Sequence, residues 1–173
     1  MTLPVNRACA TAGRKARKVL TMKTRTCAVL LFSLVLPGVA SAQSSAEREI
    51  LPLLHEEMVA ANAHDTDRFL ATYLHTPELV FVINGRVIRG FDSLREQQLQ
   101  WWNQGKSDVV YSEQGPPQFQ RLANDTMLVT EQLASRRTGP DGKPMEGTFA
   151  VSAIWRRLTD GWRVIYAHES TSR

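Results

Sequence analysis

Cysteine is almost absent from this chain. Cys9 and Cys27 both lie within the first 42 residues, and the 131 residues that follow have none. From residue 43 onward there is therefore no disulfide, no thiolate metal ligand and no cysteine nucleophile, even in a compartment that favours disulfides. Histidine is sparse as well. His55-Glu56-Glu57 lacks the second histidine four positions on that a zinc helix needs, and His55, His64, His75 and His168 form no ligand pattern, so no metal is expected. No glycine-rich phosphate loop follows a strand and no Gly-x-Ser-x-Gly elbow is present, which leaves no cofactor expected and no serine triad. The one long apolar run, Cys27 to Leu36, falls short of the roughly 20 residues a membrane span requires. Positive charge is also scarcer than it first looks. Of 21 basic side chains, seven (Arg7, Arg14, Lys15, Arg17, Lys18, Lys23 and Arg25) precede residue 43 and no acid does, which leaves 14 against 17 acids. A slightly acidic body carries no electrostatic footprint for nucleic acid or an anionic membrane.

The first 42 residues read as a leader. Met22-Lys23-Thr24-Arg25 is a basic start, the apolar run follows, and Pro37-Gly38 leads to Ala40-Ser41-Ala42, the small-x-small form of a cleavage site. Cleavage is predicted before Gln43, with export by a Sec-type signal to the periplasm or the medium. No cysteine follows the site to anchor a lipid, and no Arg-Arg pair precedes the run. Met1 to Thr21 forms a basic prefix without an acid. Either Met22 is the true start, or the prefix is an Arg-rich organelle address. Residues 43–173 are long enough for one packed domain.

Within that domain, helical spacing comes first. Ser44-x-x-Glu47 is a capping box ahead of Ile50, Leu53, Leu54, Met58 and Ala61, with Pro52 either bending the helix or belonging to its first turn. Asp65 caps a second short helix carrying Phe69, Leu70, Tyr73 and Leu74. Asn84-Gly85 between Leu79–Ile83 and Arg86–Arg89 signals a type I′ hairpin. Ser93-x-x-Glu96 is then expected to open a third helix, with Leu94, Gln98, Trp101 and Trp102 on one side. From Asp108 the pattern alternates. Segments 108–113, 118–122, 126–137, 146–158 and 162–171 read as strands, the last three forming an antiparallel meander. The fold class is α+β, with helices on one face of a curved sheet.

The helix pair with "AHDTDRFLATY", the hairpin "FVINGRVIRGFDSL", the third helix and the closing "DGWRVIYAHES" resemble the SnoaL-like branch of the nuclear transport factor 2 superfamily. The resemblance runs from Glu47 to Ser172. It implies a cystatin-like cone: three N-terminal helices packed on a curved antiparallel sheet, a hairpin between helices two and three, and a pocket inside. Superfamily members include ketosteroid isomerases, polyketide cyclases, dehydratases, epoxide hydrolases and non-catalytic binding or assembly domains, so fold alone selects no activity.

Two candidates for proton transfer emerge from alternation. Glu131 shares a face with Met127, Val129 and Leu133, and His168 shares a face with Trp162, Val164 and Tyr166. A carboxylate on an apolar face has its pKa raised, and an imidazole titrates near neutrality. The competing readings are a register slip at a bulge or an arginine partner for Glu131, and a satisfied sheet histidine for His168. Tyr73, Trp101, Trp102 and Tyr166 are candidate ligand-binding walls, and Arg89 a candidate carboxylate binder at the hairpin end. Asp65 and Asp67 read as helix caps. Ile154, Ile165 and Ala167 are expected on the opposite, outer face as an apolar patch for a homodimer. Three functions follow from these readings: a binding domain for a small, largely apolar molecule; an isomerase, cyclase or dehydratase using His168 and Glu131; or a homodimeric assembly module.

Overall fold

A computed structural model of the chain describes residues 43–171. The expected leader, 1–42, and its cleavage site lie outside the described residues. Helix α1 spans Ser45–Asn62, and Ser44 closes its start: its hydroxyl accepts from the Glu47 N–H at 3.2 Å and donates to the Glu47 carboxylate at 3.0 Å. The first of these satisfies a backbone donor that the first turn leaves free, and the second ties the two side chains together. Pro52 sits inside α1 rather than in its first turn. Asp65 caps α2, Thr66–Phe69, by accepting from the Arg68 N–H at 3.1 Å, and a 3-10 turn over Leu70–Thr72 continues it.

The chain then forms β1, Val80–Ile83, and β2, Arg86–Arg89, around Asn84 and Gly85 with φ of 47° and 80°. Both positive angles belong to the I′ turn, which suits right-twisted strands. Helix α3 covers Phe91–Trp101, three residues earlier than the Ser93 capping box suggested. Its cap position is Gly90, whose φ of 85° is a backbone conformation that residues with a Cβ seldom adopt. Strands β3 (Val110–Glu113), β4 (Gln118–Ala123), β5 (Thr126–Thr138), β6 (Pro144–Leu158) and β7 (Gly161–Thr171) complete the sheet.

The sheet order is β2-β1-β7-β6-β5-β3, with β4 also on β5. Its pairings are antiparallel except one: β1 runs parallel to β7, Val80 opposite Tyr166 and Ile83 opposite Glu169. The chain enters β1 from the helices in the direction of the last strand, and the hairpin then turns it back.

One face of the sheet meets the helices. Met127 and Val129 of β5, Ala153 and Trp155 of β6 and Trp162, Val164 and Ala167 of β7 pack with Ile50 and Leu54 of α1, Leu70, and Leu94 of α3. Full burial of each large apolar side chain contributes about 1.5–3 kcal/mol.

A single irregularity controls what else reaches that face. In β6 and β7, Ile154 stands opposite Tyr166 while the next residue, Trp155, stands opposite Val164, so Ile165 is an extra residue, a β-bulge. After it the alternation is reset. Trp162 and Val164 face inward before the bulge; Ala167 and Glu169 do so after it, opposite the inward Ala153 and Val151. Of the expected outer patch, Ile154 is half-buried on the helix-free face, Ile165 sits at the bulge, and Ala167 is fully buried in the core. Ala167 therefore cannot contribute to an outer surface. Among the described residues no helix is long and apolar enough to cross a membrane.

Candidate functional site

The helices and the inner sheet face enclose a cavity of about 90 Å³. Helix α1 contributes Leu54, Glu57, Met58 and Ala61, positions i, i+3, i+4 and i+7 of a single stripe, so a carboxylate is carried inward with its apolar neighbours. Sheet residues Phe81, Glu131, Leu133, Phe149 and Val151 form the floor, while Tyr73, Gln98 and Trp102 close the sides. A wider space of about 380 Å³ adjoins it through the shared Gln98, Tyr111 and Phe149, and is bordered by Trp101, Arg137, Glu146 and Glu169.

Three carboxyl groups thus converge from α1, β5 and β7, and the surroundings disfavour charge on each. Burial pushes Glu57 up to about 8, against the Thr72 hydroxyl that donates to it, and the neighbouring Glu131 charge pushes the same way as burial. Glu131 rises to about 7 from burial and then from the Glu113 charge, and Glu169 to about 7 from burial alone. The Tyr73 phenol is raised well above its ordinary value by burial and by all three carboxylates. Tyr111, also raised by burial, accepts from the Trp102 indole N–H at 3.0 Å, which opposes the shift.

Of the residues anticipated from sequence, Glu131, Tyr73 and Trp102 line the inner cavity and Trp101 its mouth, where it packs on Phe81 at 6.1 Å between ring centroids. His168 does not join them. The bulge at Ile165 places it on the outer face, exposed, opposite Ser152 and Val82. Tyr166 goes outward with it, opposite Ile154 and Val80. Arg89 is exposed at the end of β2, beside a shallow groove with His75 and Phe91 on the far side of the hairpin. His75 stacks on Phe91 there at 3.7 Å. Asp65 caps α2, and Asp67 pairs with Arg95 of α3 at 2.6 Å. Sequence reasoning missed Glu57, Gln98, Tyr111 and Glu169. The α1 stripe contained the signal for Glu57, and the unpaired Ile165 hid Glu169.

Among the described residues no group of three histidine, cysteine or acidic side chains is arranged to hold a metal ion. What the arrangement can do is accept or donate protons near neutrality inside an apolar enclosure, and bind a small molecule there.

The family model of the SnoaL-like domain matches residues 50–172. The chain belongs to that family. A search of curated proteins finds no match. Among solved structures, this SnoaL-like domain is similar to a nuclear transport factor 2-like superfamily protein of Salmonella enterica serovar Typhimurium, at 18% identity over 73% of this chain and 90% of that one, TM-score 0.63. It is also similar to a protein with a cystatin-like fold from Caulobacter vibrioides, at 19% identity over 75% and 92%, TM-score 0.63. A third is a ketosteroid isomerase-like protein from Erwinia carotovora, at 19% identity over 76% and 99%, TM-score 0.61. At these identities the SnoaL-like domain shares the cystatin-like fold with them.

Proposed function

We propose that this SnoaL-like domain binds a small, largely apolar molecule in its cone. The observation that carries the reading is the enclosed cavity of about 90 Å³ that opens into a wider, aromatic-edged mouth. Apolar enclosures with a few convergent polar groups are the usual form of a small-molecule site. The test is titration of indole into the purified protein, followed by calorimetry, with Val151→Phe as a cavity-filling control. Saturable binding that V151F abolishes supports the reading, and an absence of binding, or binding that V151F leaves unchanged, refutes it.

A second reading is catalytic, an isomerase, cyclase or dehydratase type of proton transfer. It is favoured by the carboxyl groups of Glu57 and Glu131, which burial brings into the range where one group can both take and give a proton. His168 has no part in it, and the Erwinia protein's isomerase-like description lends it support by analogy of fold. Two further elements complete the proposal. Export rests on the leader pattern, and N-terminal sequencing of the secreted product should begin at Gln43. A homodimer through the helix-free face rests on Ile154, Tyr166 and Val82, half-buried there without a covering helix. A strictly monomeric mass in light scattering would remove that element.

A further inference from the structure

The cone contains more acid than its own chain balances. Glu57, Glu131 and Glu169 enter from three different elements. The ion pairs among the described residues use Arg68, Arg95, Arg136, Lys143, Arg157 and Arg163, and none of them joins Glu57, Glu131 or Glu169. Glu131 and Glu169 make no hydrogen bond to a described residue, and Glu57 has only the Thr72 hydroxyl. Two further polar groups point into the same space without a partner. Gln98 is only 7% exposed, lines both the cavity and its mouth, and its side-chain amide makes no hydrogen bond. Tyr73 is 4% exposed and its hydroxyl makes none. Unlike the Thr66 hydroxyl and the Trp155 indole N–H, which are sealed inside the protein without a partner, both face the cavity, where a bound molecule can supply one.

The missing partner has a chemistry. An anion would add to the repulsion between Glu57 and Glu131. A neutral carbonyl would engage one protonated acid and leave the others as they are. A protonated amine donates up to three hydrogen bonds, cancels the repulsion, and is attracted by aromatic faces. Phe69, Trp102 and Tyr73 supply those faces, with Phe69 centred 5.1 Å from Trp102 and 5.9 Å from Tyr73.

We infer that the cone takes an amine with an apolar or aromatic body, its ammonium held among Glu57, Glu131 and Gln98 and its body lying toward Trp101 and Glu169 at the mouth. This rests on the cone's being a small-molecule site. The two spaces suit that division: the inner one, about 90 Å³, fits the ammonium end, and the outer one, about 380 Å³, fits a ring.

The groups that face the ligand are Glu57, Tyr73, Tyr111, Glu131 and Glu169, with Glu113, Glu146 and Arg137 toward the opening. Arg137 is the one basic group among them, and it is exposed. Because the three inner carboxyl groups hold protons up to near or above neutrality, amine binding must displace protons and strengthen as pH rises, until the amine itself loses its charge.

The test is calorimetric titration of the purified protein with phenethylamine, phenethyl alcohol and phenylacetate. At about pH 8 the amine is expected to bind at least about tenfold tighter than the alcohol, since hydrogen bonds to charged groups are worth that or more. The preference should shrink toward about pH 5, with phenylacetate the weakest of the three. E131Q, at the ammonium, should reduce the preference for amine over alcohol about tenfold, and E169Q, at the mouth beside the body, should reduce it by less. They have no protein hydrogen bond to lose, so they carry the test even if E57Q disturbs the Thr72 contact. Alcohol binding equal to or tighter than amine binding, or an amine preference unmoved by both variants, overturns the amine inference while the cone remains a binding site. Failure of all three probes and of indole overturns both.

Discussion

Replacing Glu131 with Gln should stabilise the protein, and only above the ordinary carboxyl range. In the unfolded chain Glu131 titrates near 4.5, in the folded chain near 7. Below the lower value both states hold the proton and the carboxyl makes no difference. Between the two, the unfolded chain releases its proton while the folded chain keeps it, so stability falls as pH rises, and above the upper value the loss is complete. The gap of about 2.5 units corresponds to roughly 3 kcal/mol. Glu131 is only partly buried, and solvent screening brings the usable figure to about 2 kcal/mol. E131Q removes this term with nearly the same volume, and it also removes the charge that raises Glu57. Thermal unfolding of both proteins should nearly coincide near pH 4 and separate near pH 8 by about 5–10 °C, with the variant higher. The wild-type protein must itself lose stability over this interval. If the two melting curves show the same pH dependence, or the variant melts lower at pH 8, Glu131 is not the desolvated group described above and the electrostatic reading of the cone fails.

Three other changes probe different parts of the argument. His168→Ala should leave probe binding in the cone within about twofold of wild type by calorimetry, because an exposed outer side chain has nothing to lose there; a loss above tenfold would put it back in the site. Thr72→Val deletes the donor that holds Glu57 below the value burial alone would give. It should cost about 1–2 kcal/mol above pH 8 and less below pH 6, read from denaturant unfolding at both. Ser44→Ala removes the α1 cap and should lower stability by about 1 kcal/mol at any pH, measured in the same way.

The sequence carried the element types well where a local rule governs them. Asn84-Gly85 announces its hairpin because few other residues accept two positive φ angles, and Ser44 with Glu47 announces the start of α1. Glu131 could be placed inward because β5 alternates from Met127 to Leu133 and pairs with β6 without interruption. His168 could not be placed, since its facing depends on Ile165 having no partner, and that is a property of how β6 and β7 meet rather than of either strand. The parallel contact of β1 with β7 escaped for the same reason. Glu57 was legible as the acid in a stripe of Leu54, Met58 and Ala61, and it becomes meaningful only once Glu131 is seen across the cavity. The start of α3 moved because Gly90, with its positive φ, takes the cap position, which a Ser-x-x-Glu pattern does not report.

The bulge at Ile165 gives the last strand two possible phases, and a small side chain selects between them. Were the extra residue displaced beyond position 169, Tyr166 and His168 would turn inward and Ala167 and Glu169 outward. The phenol ring would then have to occupy the fully packed place now filled by the methyl of Ala167, an overpacking that costs about 1–3 kcal/mol or more. Deleting Ile165 would instead regularise the pairing and leave Glu169 facing the cone. The cone is thus acidic rather than imidazole-bearing because the packed place two residues before Glu169 admits one methyl group and no more, and a bulkier residue at 167 is the change that would put the other phase within reach.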